Sequence, residues 1–305
     1  MYRWIKLTPD DWPRYRGLMF GHLMPRLPEL EAEGRLSVFG VELVPGSQDE
    51  SCTPIGLVIA EQERVERETR AAHILSLFVH RGYRRAGLGS RLMSTLEQHL
   101  ASQGVERLRF VYYSGKEITP ALEAFISRSG WSAPSLEAKI YHIDKQIVHA
   151  PWLREHPLPA GIQAFPWGNL SQLNKARLLE QEGEMYPAFL SPFKSFAPLE
   201  AANSLGLETD GDIVGWIVNY RISEDTVLYD AVFITPKYQL SGLALLLLCR
   251  SILIQLETGI PYAMFTVNMS TPFMLSIAER RLRPYAKKVS EKRVVYKSIN
   301  GCERG

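Results

Sequence analysis

The sequence is short of the features that mark specialised proteins. Cysteine occurs only three times, at Cys52, Cys249 and Cys302. They are too scattered for a disulfide framework or a metal cluster, so no metal is expected and a reducing compartment fits. Long hydrophobic runs are missing too. The most apolar one, LALLLLCRSILIQL at 243–256, is broken by Arg250 and falls short of the ~20 residues a membrane span needs. It reads as a buried helix, with no membrane partner. The opening MYRWIKLTPDDW has no apolar stretch of the signal-peptide kind, so a cytoplasmic location is expected. Charge of one sign is also lacking. Lys and Arg total 35 against 33 Asp and Glu, a net +2, which gives no global electrostatic case for a nucleic-acid partner. Basic residues cluster only locally, at Arg81, Arg84, Arg85 and Arg91, and at Arg280, Arg281, Arg283, Lys287 and Lys288. Such clusters are as often solvated surface as binding sites.

What remains is an ordinary globular composition, 46% hydrophobic and 22% charged over 305 residues. At roughly 100–200 residues per domain, that length suggests two domains. Alternating apolar runs and turn residues trace strands at RWIKL, LSVFGVELV, PIGLVIAEQ and AHILSLFVH, a helix over Gly87 to Ser102, a strand at RLRFVYYS, a helix at ALEAFISRSG and a strand at EAKIYHID. TPDDWPRYRGLMFGHLM reads as helix, with Thr8 as its N-cap. The stretch 146–160 carries Pro151, Pro157 and Pro159 with little periodicity and reads as a linker. A similar order then recurs. The expected architecture is α/β (α+β): a domain over 1–145, a linker over 146–160, and a second domain over 161–305.

The two halves align at one place. LFVHRGYRRAGLGSRL and VFITPKYQLSGLALLL superpose with Gly87 on Gly242, an offset of 155. Tyr83 then meets Tyr238, Arg84 meets Gln239 and Gly89 meets Ala244. In both, an apolar strand is followed by a polar residue, a glycine turn and an apolar helix. Glycine removes a Cβ where backbone N–H groups must reach a ligand. The helix N-terminus adds partial positive charge. Together they make a site for a phosphate group, to which Arg84 and Arg85 add charge in the first copy. A bare strand–turn–helix is the structural alternative, and the repetition argues against it. There is no GxxxxGK[ST] and no third glycine of a GxGxxG, which excludes the P-loop and dinucleotide fingerprints.

LFVHRGYRRAGLGSRLM resembles motif A of the GCN5-related N-acetyltransferase (GNAT) superfamily, and VFITPKYQLSGLALLLL resembles a more divergent copy. The resemblance implies two tandem GNAT-like domains, each a mixed, mostly antiparallel sheet flanked by helices. It implies acetyl-coenzyme A or another acyl-coenzyme A as co-substrate. The pyrophosphate would lie on Arg84, Arg85, Ala86, Gly87, Leu88, Gly89 and Ser90, and the pantetheine arm on Phe78 and Val79. The second set is Gln239, Ser241, Gly242 and Ala244, with Phe233 and Ile234 on the strand. The reaction implied is direct attack of an amine on a thioester. The acceptor is a small-molecule or peptide amine, and an acyl carrier protein is an alternative donor.

Such a transfer needs a neutral amine, donors for the oxyanion and a proton for the leaving thiolate. Cys249, inside an apolar helix, reads as core rather than nucleophile. The resemblance places a Glu or His base six or four residues before the strand-end valine. His73 is six before Val79, and alternation puts His73, Leu75, Leu77 and Val79 on one face, with a strand-end histidine satisfied by its neighbours as the plainer reading. In the second copy Asp230 is four before Ile234, an unusual residue for a strand. The family's usual acid, a tyrosine in the helix before the last strand, is replaced by Ile126. Tyr112 and Tyr113, on the next strand, are the substitutes, with Tyr113 the candidate; alternation lets only one of them face the site, and aromatic sheet packing is the plainer reading of both. Glu182, Glu184 and Tyr186 lie where the family often binds its acceptor, with a solvated helix end as the plainer reading. The missing tyrosine also supports a second reading: a non-catalytic coenzyme A binder or partner-docking protein.

Overall fold

A computed structural model describes residues 1–21, 23–45, 51–63, 70–194 and 197–299. Cys302 lies outside these residues. The chain divides into two compact units. The first takes Met1–Leu136 and then Lys292 onward, and the second takes Glu137–Glu291.

In the first unit the elements are β1 (Tyr2–Lys6), α1 (Trp12–Tyr15), α2 (Leu27–Ala32), β2 (Leu36–Leu43), β3 (Thr53–Gln62), β4 (Ala71–Val79), α3 (Leu88–Ser102), β5 (Arg107–Tyr113) and α4 (Thr119–Arg128). Strand β6 (Ser135–Asp144) follows. The second unit holds β7 (Gln163–Pro166), α5 (Gln172–Glu180), β8 (Leu205–Thr209), β9 (Asp212–Ser223), β10 (Thr226–Ile234), α6 (Leu243–Thr258), β11 (Tyr262–Asn268) and α7 (Pro272–Arg281). The last strand is β12 (Ala286–Ser298).

Each unit has one mostly antiparallel sheet with a single parallel pair. The first runs β1-β2-β3-β4-β5-β12, parallel only at β4–β5. The second runs β7-β8-β9-β10-β11-β6, parallel only at β10–β11. Apolar clusters cover both faces of each sheet. In the first, α3 and α4 pack Leu92, Leu96 and Ile126 on Val58, Ala60, Ile74 and Phe110. Tyr15, Leu27 and Leu30 pack on Leu57 and Ile59 from the other side. Each helix buries the stripe its spacing presents, and each central strand is buried on both sides.

Three sequence expectations are corrected here. First, the domain boundaries do not follow the repeat. EAKIYHID does not close the first sheet: Ala138–Asp144 pair with β11. The final strand pairs with β5 instead, Lys292 opposite Tyr113 through Ser298 opposite Arg107. The two closing strands are thus exchanged. Both are apolar strands bearing cations, and nothing local in them selects a partner. Ion pairs hold the exchanged strand: Arg293 to Glu123 at 2.6 Å and Lys297 to Glu97 at 2.8 Å. Second, residues 146–160 are not a free linker. Ile147, Ala150, Trp152 and Leu153 are buried in the second core, because four apolar side chains cost too much to leave in water. Third, the long N-terminal helix is broken into short turns. Thr8 does cap the first of these in a capping box with Asp11, but Pro13, Gly17 and Gly21 interrupt the run.

Candidate functional site: two glycine turns beside parted strands

Both glycine turns have the same backbone. Arg85 and Leu240 stand at φ 69° and 67°, and Gly87 and Gly242 at 78° and 85°. Each pair is separated by 155 residues. A glycine is needed at 87 and 242 for that φ and not for space, since a Cβ there would meet nothing within 4 Å. Each glycine is the N-cap of a helix, α3 or α6, and gives no side-chain cap to the first turn. Those N–H groups therefore point outward, open to an anion. The turn also fits a pyrophosphate because Ala86, Gly87 and Ser90 are exposed while Leu88 anchors the helix in the core.

Arg84 has a different task from the one its charge suggests. Its Nε donates to the carbonyl of Val79 at 2.9 Å. Gln239 Nε2 donates to the carbonyl of Ile234 at 3.1 Å in the second copy. The Arg84–Gln239 position thus ties the turn to the strand end in both units. The charge difference between the turns falls on Arg85, exposed and carrying no ion pair among the described residues, against Leu240, which is 86% exposed. The second turn is also partly self-satisfied: Ser241 Oγ accepts from the N–H of Leu243 at 3.4 Å. Ala244 packs against the second core.

Beside each turn the two parallel strands part. β4 pairs with β5 only from Ala71–Arg107 to Ile74–Phe110. β10 pairs with β11 only from Thr226–Tyr262 to Tyr229–Phe265. The next residue in each strand is a bulge. Ile59 faces Ser76 and Ala60 faces Ile74, leaving Leu75 unpaired. Asn219 faces Tyr229 and Val218 faces Ala231, leaving Asp230 unpaired. Leu75 and Asp230 are again 155 apart. A bulge bends its strand and raises the local twist, and the strands diverge from that point. Phe78, Val79, Phe233 and Ile234 lie on the diverging arms, between bulge and turn. The opposite arms, Val111–Tyr113 and Thr266–Asn268, are paired by the exchanged strands.

The bulges overturn the face assignments made from regular alternation. Beyond Leu75 the parity reverses, so Ile74, Leu77 and Val79 share the α3 face. His73 lies on the other face, opposite Glu61 in register, with Nε2 2.5 Å from Glu63 Oε1. It is in the paired part of the strand, not on the parted arm. By the same shift Asp230 leaves the face of Ile234, which packs with α6. It meets Lys194 Nζ at 2.6 Å, beside Tyr220. Burial first, and then the charge of Asp230, pushes the Tyr220 phenol up to about 12.

The other candidates divide. Tyr113 is 45% exposed on the parted arm of β5, with Lys116 Nζ 5.8 Å from its ring centroid. Tyr112 turns into the core and donates to Glu123 at 3.1 Å. Tyr186 is not open to an acceptor: it is 1% exposed, donates to the carbonyl of Leu178 at 2.7 Å and packs edge-on against Trp216. Burial pushes its phenol up to about 12, with Glu182 adding to the effect. The helix there ends at Glu180, so Glu182 and Glu184 stand on an exposed turn, and Glu182 accepts from Ser191 Oγ at 2.6 Å. Cys249 is buried, and burial raises its thiol pKa, which fits a core residue. Sequence reasoning passed over Ser76 and Lys194. Ser76 directly follows the bulge, is 2% exposed, and its hydroxyl has no partner among the described residues. A buried serine next to a bulge was the available signal. Among the described residues no group of three or more His, Cys, Asp or Glu side chains is placed to hold a metal, and no helix is long and apolar enough to cross a membrane.

Comparison with known proteins matches residues 4–124 to the Acetyltransferase (GNAT) family. No curated protein matches the chain. Among solved structures, a tandem GNAT protein from the clavulanic acid biosynthesis pathway superposes with a TM-score of 0.68 at 14% identity, covering 99% of this chain and 100% of its own. A GCN5-related N-acetyltransferase from Sphaerobacter thermophilus gives 0.55 at 16% identity, covering 98% and 96%. A probable N-acyltransferase from Enterococcus faecalis gives 0.56 at 16% identity, covering 98% of this chain and 72% of its own. The family match covers the first glycine turn and its parted strands, and the superpositions extend the likeness to the second. Residues 4–124 match the acetyltransferase (GNAT) family, and the chain as a whole has the fold of a tandem GNAT protein.

Proposed function

We propose that this protein is an N-acyltransferase that moves an acyl group from acyl-coenzyme A to an amine, with its main donor site in the first unit. The observation that carries this reading is the positive-φ turn beside a bulge and a parted strand pair, built twice with the same spacing. The first copy adds a cation at Arg85, which has no ion pair among the described residues. The pyrophosphate lies on the N–H groups from Arg85 to Gly89. The pantetheine arm adds to the free edge of β4 at Phe78 and Val79, as an extra strand adds to a sheet. The thioester then reaches the place where β4 and β5 part.

There the amine attacks the carbonyl carbon, the C–N bond forms, and the C–S bond breaks with its electron pair going to sulfur. Two hydroxyls flank the gap, Ser76 Oγ and Tyr113 Oη. They serve as donors to the developing oxyanion and to the leaving thiolate, the tasks a positioned hydroxyl performs well. The base is water-relayed or carried by the acceptor, because His73 is tied to Glu63 in the paired part of β4, away from the parted arm. A thioester on an acyl carrier protein meets the same chemistry.

Ile126 favours a second reading, a coenzyme A binder without turnover. It stands where the family has its tyrosine acid and is 1% exposed in the core. Native mass spectrometry after incubation with acetyl-coenzyme A and a panel of amines separates the two. Bound thioester with acylated product supports transfer. Bound thioester that no amine discharges supports the binder. No bound thioester overturns both.

A further inference from the structure

The bulge carboxylate of the second unit already holds an amine. Lys194 Nζ donates to Asp230 Oδ2 at 2.6 Å and to the carbonyl of Phe189 at 2.6 Å. Their side chains are 24% and 14% exposed. The segment that delivers Lys194 is fixed to the sheet. Trp216 Nε1 donates to the carbonyl of Leu190 at 3.1 Å, and Tyr220 OH donates to the carbonyl of Lys194 at 3.0 Å. Tyr186 anchors its start in the aromatic cluster. The fold does not require this pair. The first unit has Leu75 at the same bulge, packed against apolar side chains. A pair this shielded from water loses in desolvation much of what it gains in attraction, and Asp is a poor strand residue. The second unit thus spends a charged bulge and a fixed loop on holding one lysine amine where its strands part.

We propose that Lys194 is an acyl acceptor, a self-modification site of the second unit. The inference rests on the reading of the glycine turn as an acyl-coenzyme A site. From Ile234, beside that turn, back to Asp230 is four residues, about 13 Å of strand at ~3.3 Å each. An extended pantetheine arm covers that run and brings its sulfur to the bulge. Asp230 takes a proton from the Lys194 ammonium. The freed Nζ lone pair attacks the thioester carbon, the C–N bond forms and the C–S bond breaks. The thiolate leaves with the electron pair and is protonated from Asp230, while the attacking nitrogen, now bearing a positive charge, loses its second proton to water. Amine and thioester become amide and thiol, with no oxidant or further reactant. The product Nε-acyl-lysine is neutral and no longer pairs with Asp230.

The test is to incubate the full chain with acetyl-coenzyme A, digest it and map every acetylated lysine by mass spectrometry. Lys194 should carry the highest occupancy. Gly242→Glu, which puts a carboxylate into the second turn, should abolish the label, and Asp230→Asn should slow it by about a hundredfold, the usual contribution of a positioned base. Gly87→Glu should leave it unchanged. Ser241→Glu replaces Gly242→Glu if the latter fails to fold, since it adds the charge without altering a glycine φ. An unmodified Lys194 overturns the inference. So does label that survives at the same rate in Gly242→Glu and Asp230→Asn, or in urea-unfolded protein, which is chemical acylation only. Native spectra of the same samples separate the two readings. Bound acetyl-coenzyme A with Lys194 unmodified sinks the self-acylation alone, and no bound acetyl-coenzyme A sinks the proposed function with it.

Discussion

Exchanging two side chains between the turns should exchange their affinities. Arg85 and Leu240 have nearly the same φ, 69° and 67°, so Arg85→Leu and Leu240→Arg each replace one strained side chain with another. The backbone cost of ~1–2 kcal/mol is already present on both sides of the comparison. What changes is one cation beside a bound pyrophosphate. A charge-assisted hydrogen bond contributes about 1.5–3 kcal/mol. Arg85 is exposed, and water and salt screen it, so about 1–2 kcal/mol is the realistic range. That is about a 5–30-fold change in Kd. Titration calorimetry with coenzyme A should show a tight and a weak site in the parent protein. Arg85→Leu should weaken the tight site, and Leu240→Arg should strengthen the weak one. Raising the salt from low to physiological strength should shrink both effects. Gly87→Glu and Gly242→Glu assign each isotherm step to its turn. If Arg85→Leu leaves the tight site within about twofold at low salt, the assignment of the charge difference to Arg85 is wrong.

Other outcomes follow from the same geometry. Ending the chain after Glu291 should unfold the first unit while the second persists, read as lost amide protection over Leu108–Tyr112; retained protection there would refute the strand exchange. Val295→Ala, at a site with no exposure opposite Phe110, should cost about 1–2 kcal/mol in urea melts through lost methyl groups and the void they leave. Ile126→Tyr should not supply an acid: the site is 1% exposed, so overpacking should cost about 1–3 kcal/mol and the acyl-transfer rate should not rise. Glu279 is bonded by Lys139, Arg283 and Tyr141, which lowers its carboxyl from the usual 4.5 to about 2. Lowered in the folded state, it stabilises above pH 4.5, and that contribution is lost as pH falls from 4.5 through 2. The limit is about 3 kcal/mol, and screening brings it to about 1–2 kcal/mol. The acid limb of the stability curve for Glu279→Gln should be correspondingly flatter.

The turn was legible in the sequence because it uses glycine and a positive φ, which few other residues supply. Its repetition at a fixed offset added the second site. The bulges were not legible. Leu75 and Asp230 sit in unbroken apolar strands, and period-two alternation hides one extra residue. That single slip moved His73 and Asp230 off the faces first assigned to them. Strand partners were hidden for another reason: EAKIYHID and KRVVYKSI are similar apolar strands, and sequence patterns encode a strand's faces but not its neighbour. Tyr186 misled because an aromatic beside two glutamates reads as a binding surface. It is instead the core ring against which Trp216 packs. Lys194 was invisible because its partner is 36 residues away.

The placement of the last strand also orders the birth of the protein. When the ribosome has made β5, residues Val111–Tyr113 have no strand beside them: β4 has already diverged, and β12 does not yet exist. Residues 114–291, which include the whole of Glu137–Glu291, must be translated first. At ~5–20 residues per second that is a wait of about 10–35 s. The second unit has all its strands before the first does, which inverts the usual order of completion from the N-terminus. Through that interval the nascent first unit shows an open sheet edge, the kind of surface that chaperones bind and that pairs with neighbouring chains.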